Sequence, residues 1–229
     1  MTMRVSQDTG PSAAESVLMS LRQRIIEGAI RPGTRLVEPA VAEDHGVSRN
    51  TVREALRLLA ADGLITSVRN AGYSVRTLTS DDIRDIYVSR QIIETGAILQ
   101  SAAASDALLA AVEASAAAAK KSVRDRDWSR VGTASLEFHQ AIVGLAASTR
   151  LDRFFTIIAA QLRLAFAVIP DESAFQIQWV ARDQAIADLV LSGAREEAAR
   201  QLDDYLTDSK TQIIDGIRAA DRAQHERTA

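Results

Sequence analysis

The sequence predicts a mainly α-helical chain in two parts: a short, glycine-punctuated segment with one β-hairpin, then a longer all-helical segment. Three observations carry this. Proline occurs only four times in 229 residues and alanine is abundant, which favours helix. Gly28, Gly33, Gly46, Gly63 and Gly72 fall within 45 residues, and such punctuation divides a segment into short elements. Nine of the ten aromatic residues follow residue 80, Tyr73 being the exception. The composition therefore shifts near residues 77–80, where the domain boundary is expected.

In the first segment, Val17, Leu18, Leu21, Ile25 and Ile26 recur at helical spacing. Gly28 and the Pro32-Gly33 turn end that helix. A second helix is expected from about Pro39 to His45, stopped by Gly46. Ser48 can cap a third, because its hydroxyl accepts from the first free amides, and this helix would bury Val52, Ala55, Leu56 and Leu59. Gly63 ends it. Two β-like runs follow, Leu64 to Val68 and Tyr73 to Leu78, with Arg69-Asn70-Ala71-Gly72 as the turn between them. This order is that of a winged helix-turn-helix. The second segment reads as six helices, about 80–103, 105–124, 127–147, 150–169, 174–192 and 195–221, a number suited to one compact bundle. Thr79 or Ser80, Ser105, Asp127 and Ser173 are the expected N-caps. The predicted organisation is a flexible tail at 1–14, a winged helix at 15–78, a six-helix bundle at 79–222 and a polar tail at 223–229.

Composition excludes several classes of function. Cysteine is absent, which removes disulfides, thiolate catalysis and cysteine-ligated metal centres. No apolar run approaches the ~18 residues of a membrane span, and the polar start lacks the apolar core of a signal peptide. A cytoplasmic location, away from membranes, is the expectation. Residues 1–78 hold ten Arg and eight Asp or Glu, a net +2, whereas the remainder holds 17 Lys or Arg and 22 Asp or Glu, a net −5. A basic excess on one segment of an acidic chain is a weak indication of a nucleic-acid module.

The third helix strengthens it. Arg49, Arg53 and Arg57 lie at i, i+4 and i+8 opposite the apolar face, with Asn50 and Thr51 in the first turn. A helix fits the DNA major groove and presents its first residues to base edges, where Arg suits guanine and Asn suits adenine. A solvated arginine stripe is the ordinary alternative. The position of this stripe, starting directly after the Gly46 turn, favours the DNA reading. Arg69 would add a cation at the hairpin tip.

Gly46-Val-Ser-Arg-Asn-Thr-Val-Arg-Glu-Ala-Leu56, then Leu58-Leu59 and Gly63-Leu64-Ile65, resembles the GntR family of bacterial transcription factors. Ile26-Glu27-Gly28 and Arg31-Pro32-Gly33-Thr34-Arg35-Leu36 fit the same pattern. The resemblance implies a DNA-binding homodimer that reads a short pseudo-palindromic operator. It points to Arg35, Ser48, Arg49, Asn50, Thr51 and Arg53, and to Arg69, Asn70 and Gly72 of the wing. Two departures are visible. Pro39-Ala40 stands where a charged residue is common, and Thr51 replaces a usual proline.

The second segment resembles the FadR C-terminal domain class, FCD, through Arg90 and Glu94, Phe138-His139, and the Gly193 turn before a last helix with Ala198 and Leu206. Six helices rather than seven suggest the VanR-like branch. The likeness implies dimerisation, a small-molecule effector, commonly an organic acid, and in many members a divalent metal held by one Asp and three His. The positions matching that ligand set read Ser135, His139, Asp183 and Tyr205, so only His139 is retained. No metal or other cofactor is expected. Arg90, Glu94, Ser135, His139, Asp183 and Tyr205 become the candidate effector site.

The residues themselves agree on a pocket. Ile83, Tyr87, Arg90, Glu94 and Ala97 share one helical stripe, and two charges among apolar neighbours are costly unless paired or used. A simple Arg90–Glu94 pair is one reading, and an Arg90 fork aimed at a ligand carboxylate is the other. Ser135, His139 and Asp183 carry the names of a catalytic triad, but no nucleophile-elbow, phosphate-loop or dinucleotide motif accompanies them, so an enzyme is not expected. The favoured function is a transcription regulator, a repressor, whose operator affinity is controlled by a small organic acid bound in the helical domain. A ligand-independent dimeric DNA-binding protein is the alternative, and an enzyme with an attached DNA-binding head is a third reading.

Overall fold

The computed structural model describes residues 10–68, 72–169 and 172–228. The N-terminal part contains α1 (Ala13–Ile26), β1 (Arg35–Leu36), α2 (Glu38–His45), α3 (Arg49–Ala61), β2 (Ile65–Val68) and β3 (Gly72–Val75). The second part contains α4 (Ser80–Gln100), a 3-10 turn at Ser101–Ala103, α5 (Asp106–Arg124), α6 (Trp128–Gly144), α7 (Thr149–Phe166), α8 (Glu172–Leu191) and α9 (Arg195–Thr228). This is the mainly α arrangement expected, a winged helix-turn-helix followed by a six-helix bundle.

Local chemistry explains the boundaries. Ser12 and Glu15 form a capping box at α1, and Thr79 and Asp82 form another at α4, each satisfying amides that lack intrahelical partners. The Ser48 hydroxyl accepts from the Thr51 amide to start α3. Gly46 closes α2 at φ +63, a left-handed conformation that costs glycine little. The α3 face predicted to be apolar, Val52, Ala55, Leu56 and Leu59, is fully buried.

The sheet has the order β1-β3-β2, both pairs antiparallel. β1 was not expected, because two residues are too few to show a period. Gly72, a turn residue by its sequence, is the first residue of β3, opposite Val68. Its φ of +84 explains the glycine, since among the described residues a Cβ there would meet only the Leu36 carbonyl, at an ordinary 3.7 Å. Arg69, Asn70 and Ala71 lie outside the described residues.

Three other expectations change. Ser173 is not an N-cap, because α8 already starts at Glu172. Ser105 and Asp127 occupy N-cap positions without a side-chain cap bond; the Asp127 ψ of 76 is far from the extended backbone at the working caps. Residues 223–228, expected as a tail, continue α9.

The centre of the bundle is α6, which packs on α4, α5, α7 and α8. Val131 to Leu136, Phe138, His139, Ile142 and Val143 are all buried, while Arg130 and Glu137 stay exposed, so most of this helix is enclosed, as its mostly apolar sequence allows. α7 also touches α1, and the apolar core runs without a break from the head into the bundle.

We predict that Ser48→Ala destabilises the chain by about 1 kcal/mol through loss of the α3 cap, and Ser48→Gly by only a few tenths. Urea denaturation followed by circular dichroism checks this; equal losses for both would show that the hydroxyl acts otherwise.

Candidate functional site

All six candidate effector residues come together in the bundle interior. α4 supplies Arg90 and Glu94, α6 supplies Ser135 and His139, α8 supplies Asp183 and α9 supplies Tyr205, and none is more than 4% exposed. Arg90 Nε donates to Glu94 Oε1 at 2.6 Å, and His139 Nδ1 donates to Glu94 Oε2 at 2.6 Å. Ser135 donates to Asp183 Oδ2 at 3.0 Å, with the Tyr205 hydroxyl 3.4 Å away. The His139 and Tyr205 rings meet edge to face at 5.0 Å.

The pairing read from the sequence is present: Arg90 bonds Glu94, and its Nη2 is buried with no hydrogen-bond partner among the described residues. Among the described residues five further buried atoms share that state: His139 Nε2, Asp183 Oδ1, Gln176 Nε2 and Trp179 Nε1 in the bundle, and Arg22 Nε on α1. Such atoms cost roughly 1–3 kcal/mol each when left unsatisfied. Gln176 and Trp179 were not anticipated. They precede Asp183 on α8 by seven and four residues, the spacing of one helical face, which is the signal that could have found them. Trp179 stacks at a tilt on Tyr205, with ring centroids 4.8 Å apart. Arg182 lies over both rings, 5.4 and 5.2 Å from their centroids, and pairs with Asp208.

Burial and neighbours set the charges. Burial alone would raise the Glu94 carboxyl, but Arg90 and His139 outweigh it and hold Glu94 below the ordinary carboxylate range. Burial likewise opposes the Arg90 charge, and Glu94 reverses the effect, keeping the guanidinium protonated. For Asp183 burial wins over His139 and Ser135, moving it from 3.8 up to about 6. Burial, with Asp183 adding to it, raises Tyr205 well above 10, so it stays a neutral phenol. With Nδ1 bound to Glu94, His139 Nε2 faces Asp183 Oδ1 at 3.9 Å. The two atoms are too far apart to bond each other, and a polar group between them would reach both.

This donor set does not fit the metal that the family resemblance implies. His139 Nε2 and Asp183 Oδ1 at 3.9 Å would subtend an angle far wider than tetrahedral at an ion held ~2.1 Å from each. Ser135 and Tyr205 are neutral hydroxyls. Among the described residues, no group of three His, Asp or Glu is arranged to hold a metal. The triad geometry is also missing, since Ser135 donates to Asp183 and His139 is bound to Glu94.

On the head, Arg49, Asn50, Arg53 and Arg57 are exposed along α3, and Arg35 is exposed on β1 opposite Ser74. Ser48 and Thr51 are joined at 2.9 Å through their hydroxyls as part of the cap. Arg53 donates to Glu38 of α2 at 2.8 Å while remaining 53% exposed, a partner not anticipated from sequence. Arg69 and Asn70 of the wing tip are outside the described residues.

Fold and site together define a two-domain protein with an arginine-bearing winged helix and a helical domain enclosing an incompletely satisfied polar cluster. The profile of the bacterial regulatory proteins of the gntR family matches residues 13–75, and that of the FCD domain matches residues 85–208. The crystal structure of a GntR transcriptional regulator from Rhodococcus sp. RHA1 is 34% identical, with TM-score 0.82, covering 89% of this chain and 98% of that one. The uncharacterized HTH-type transcriptional regulator BphR of Paraburkholderia xenovorans is 29% identical over 66% of this chain and 64% of its own length. The gluconate operon transcriptional repressor of Bacillus licheniformis is 34% identical over 58% of this chain and 54% of its own. The chain thus spans less than two thirds of the length of these two curated relatives. It belongs to the GntR family, with an FCD domain.

Because folding raises the Asp183 pKa, the folded state binds the extra proton between about pH 4 and 6. Stability from this group is complete below pH ~4 and is lost as pH rises through about 6. We predict that Asp183→Asn gains on the wild type by up to about 3 kcal/mol between pH 4 and 7. Urea titrations at several pH values measure the difference; parallel curves would place the Asp183 charge in a comfortable environment. Glu94 acts in the opposite sense, adding stability above its unfolded pKa that is lost as pH falls through its lowered folded value.

Proposed function

We propose that the protein is a cytoplasmic, homodimeric DNA-binding transcription regulator, acting as a repressor, whose affinity for a pseudo-palindromic operator is set by a small organic acid. The acid binds among Arg90, Glu94, Ser135, His139, Asp183 and Tyr205. The observation that carries this is the set of buried, unpartnered polar atoms at the centre of the bundle. Native proteins keep few such atoms, and each calls for an explanation. Arg90 Nη2 suits an incoming carboxylate. Trp179 Nε1 and Gln176 Nε2 are further donors. His139 Nε2 and Asp183 Oδ1 would bond a polar group of the same molecule.

Arg49 and Asn50 read bases in this account, and Arg53 exchanges Glu38 for DNA. Arg35, Ser48, Thr51, Arg69, Asn70 and Gly72 complete the contact surface. The exposed apolar residues Val88, Ile92 and Leu99 along α4 support pairing of two helical domains. The six helices of the bundle support the VanR-like branch. No helix among the described residues is long and apolar enough to cross a membrane. The chemistry requires no enzyme activity and no metal.

The reading is tested by selecting sites from random duplex DNA and by melting the protein against a panel of mono-, di- and hydroxycarboxylates. An acid that raises the melting temperature should also release the selected DNA, and EDTA should leave that release unchanged. Failure of every thermally active acid to change DNA affinity would leave a dimeric DNA-binding protein without this control. We predict that Arg49→Ala weakens binding to the selected site by roughly 1–3 kcal/mol and relaxes preference at one base pair per half-site. A uniform loss over all sequences would instead make Arg49 a phosphate contact.

A further inference from the structure

The head is held by side chains of α6 and α7 at the C-terminal ends of two of its helices. α1 ends at Ile26, and the Ile30 amide turns back to the Arg24 carbonyl. The Ile26 carbonyl is among the last of the helix, which lack the next turn's amides. Arg163 of α7 donates Nε to it at 3.1 Å, and Thr133 of α6 donates its hydroxyl at 3.3 Å. Both donors are buried, and a cation suits the negative end of a helix. Gly28 makes room, since at its φ of +74 a Cβ would lie 2.8 Å from Arg163 Nη2.

The same arrangement recurs at the DNA-reading helix. Asp62 caps α3, and its carbonyl accepts from Gln161 Nε2 of α7 at 2.7 Å. Gly63 follows at φ +68, where a Cβ would lie 2.8 Å from that same nitrogen. Arg76 donates to the Gly63 carbonyl at 3.1 Å and to Asp82 of α4 at 2.7 Å. Two glycines in the head thus each accommodate a side chain from one bundle helix. Thr133 and Ser135, two residues apart, point to opposite sides of α6. One meets the head and the other meets Asp183. A single helix, ~10 Å across, separates the polar cluster from the head.

We propose that the Ile26 carbonyl and the Asp62-Gly63 turn form a two-point latch, with Thr133, Gln161 and Arg163 as positioning residues that fix the DNA-binding head on the helical domain and carry effector occupancy to it through α6. The coupling part rests on the function proposed above; the positioning part does not.

The absence of cysteine allows spin labels to be attached at Arg57→Cys on α3 and Glu113→Cys on α5, both exposed positions, with labelled chains diluted into unlabelled protein. With the latch intact, the head-to-bundle distance should be single and narrow. In Thr133→Val/Gln161→Leu, shown to be folded by circular dichroism, it should broaden or shift; an unchanged distribution overturns the latch. Gln161→Leu alone serves if the double variant does not fold. From random duplex DNA the wild type should select paired half-sites at one spacing, and the variant the same half-site at several; retention of one spacing contradicts the proposal. The panel carboxylate with the largest thermal shift should still bind the variant but no longer alter its DNA affinity; intact control would refute the coupling. If the wild type selects no DNA sequence, or no carboxylate binds, the proposed function fails, and the label distances alone decide the latch.

Discussion

The central helix α6 turns most of its surface inward, leaving Arg130 and Glu137 paired in the open, so the polar side chains on its buried faces must find their partners inside the molecule. That constraint organises the structure. Thr133 reaches the end of α1 in the head, Ser135 reaches Asp183 on α8, and His139 reaches Glu94 on α4. A buried polar group without a partner is expensive, so these bonds fix α6 relative to three other elements at once. The head, the polar cluster and the first bundle helix are thereby linked through one rod.

Charge is handled along the same line. Arg90, Glu94 and His139 form a buried relay with two bonds of 2.6 Å. A buried ion pair is weak evidence for stability, because apolar residues of similar volume often serve as well or better. The relay is easier to understand as a fixed framework for recognition. It leaves one guanidinium nitrogen and one imidazole nitrogen buried without a partner among the described residues, as the proposed ligand site requires. Pre-organised donors lose little freedom when a ligand arrives, and an anion beside Arg90 would partly balance the charge it meets.

Most of the fold was legible in the sequence, because the signals were local. Gly46 and Gly63 end helices, Ser48 and Thr79 start them, and the stripe from Ile83 to Ala97 is buried as its periodicity implies. The candidate site was legible as residue types and positions, but its pairings were not. The Glu94–His139 and Ser135–Asp183 bonds join positions 45 and 48 residues apart, and no local pattern predicts which buried groups will meet. Gln176 and Trp179 were missed because one polar and one aromatic residue on an apolar helix look like ordinary core. The Glu38–Arg53 pair and the grip of Gln161 and Arg163 on the head depend on tertiary packing alone. The short strand β1 exists only because β3 is there to pair with it.

The most direct test of the account uses Trp179, whose indole nitrogen is buried without a partner beside Tyr205. The other tryptophan, Trp128, is 37% exposed and can be replaced by Phe to leave one reporter. The emission of Trp179 in that variant should change saturably with a carboxylic acid that releases selected DNA, with the same midpoint as the release. Release of DNA by an acid that leaves Trp179 emission unchanged at saturation would place the controlling ligand elsewhere and contradict the account.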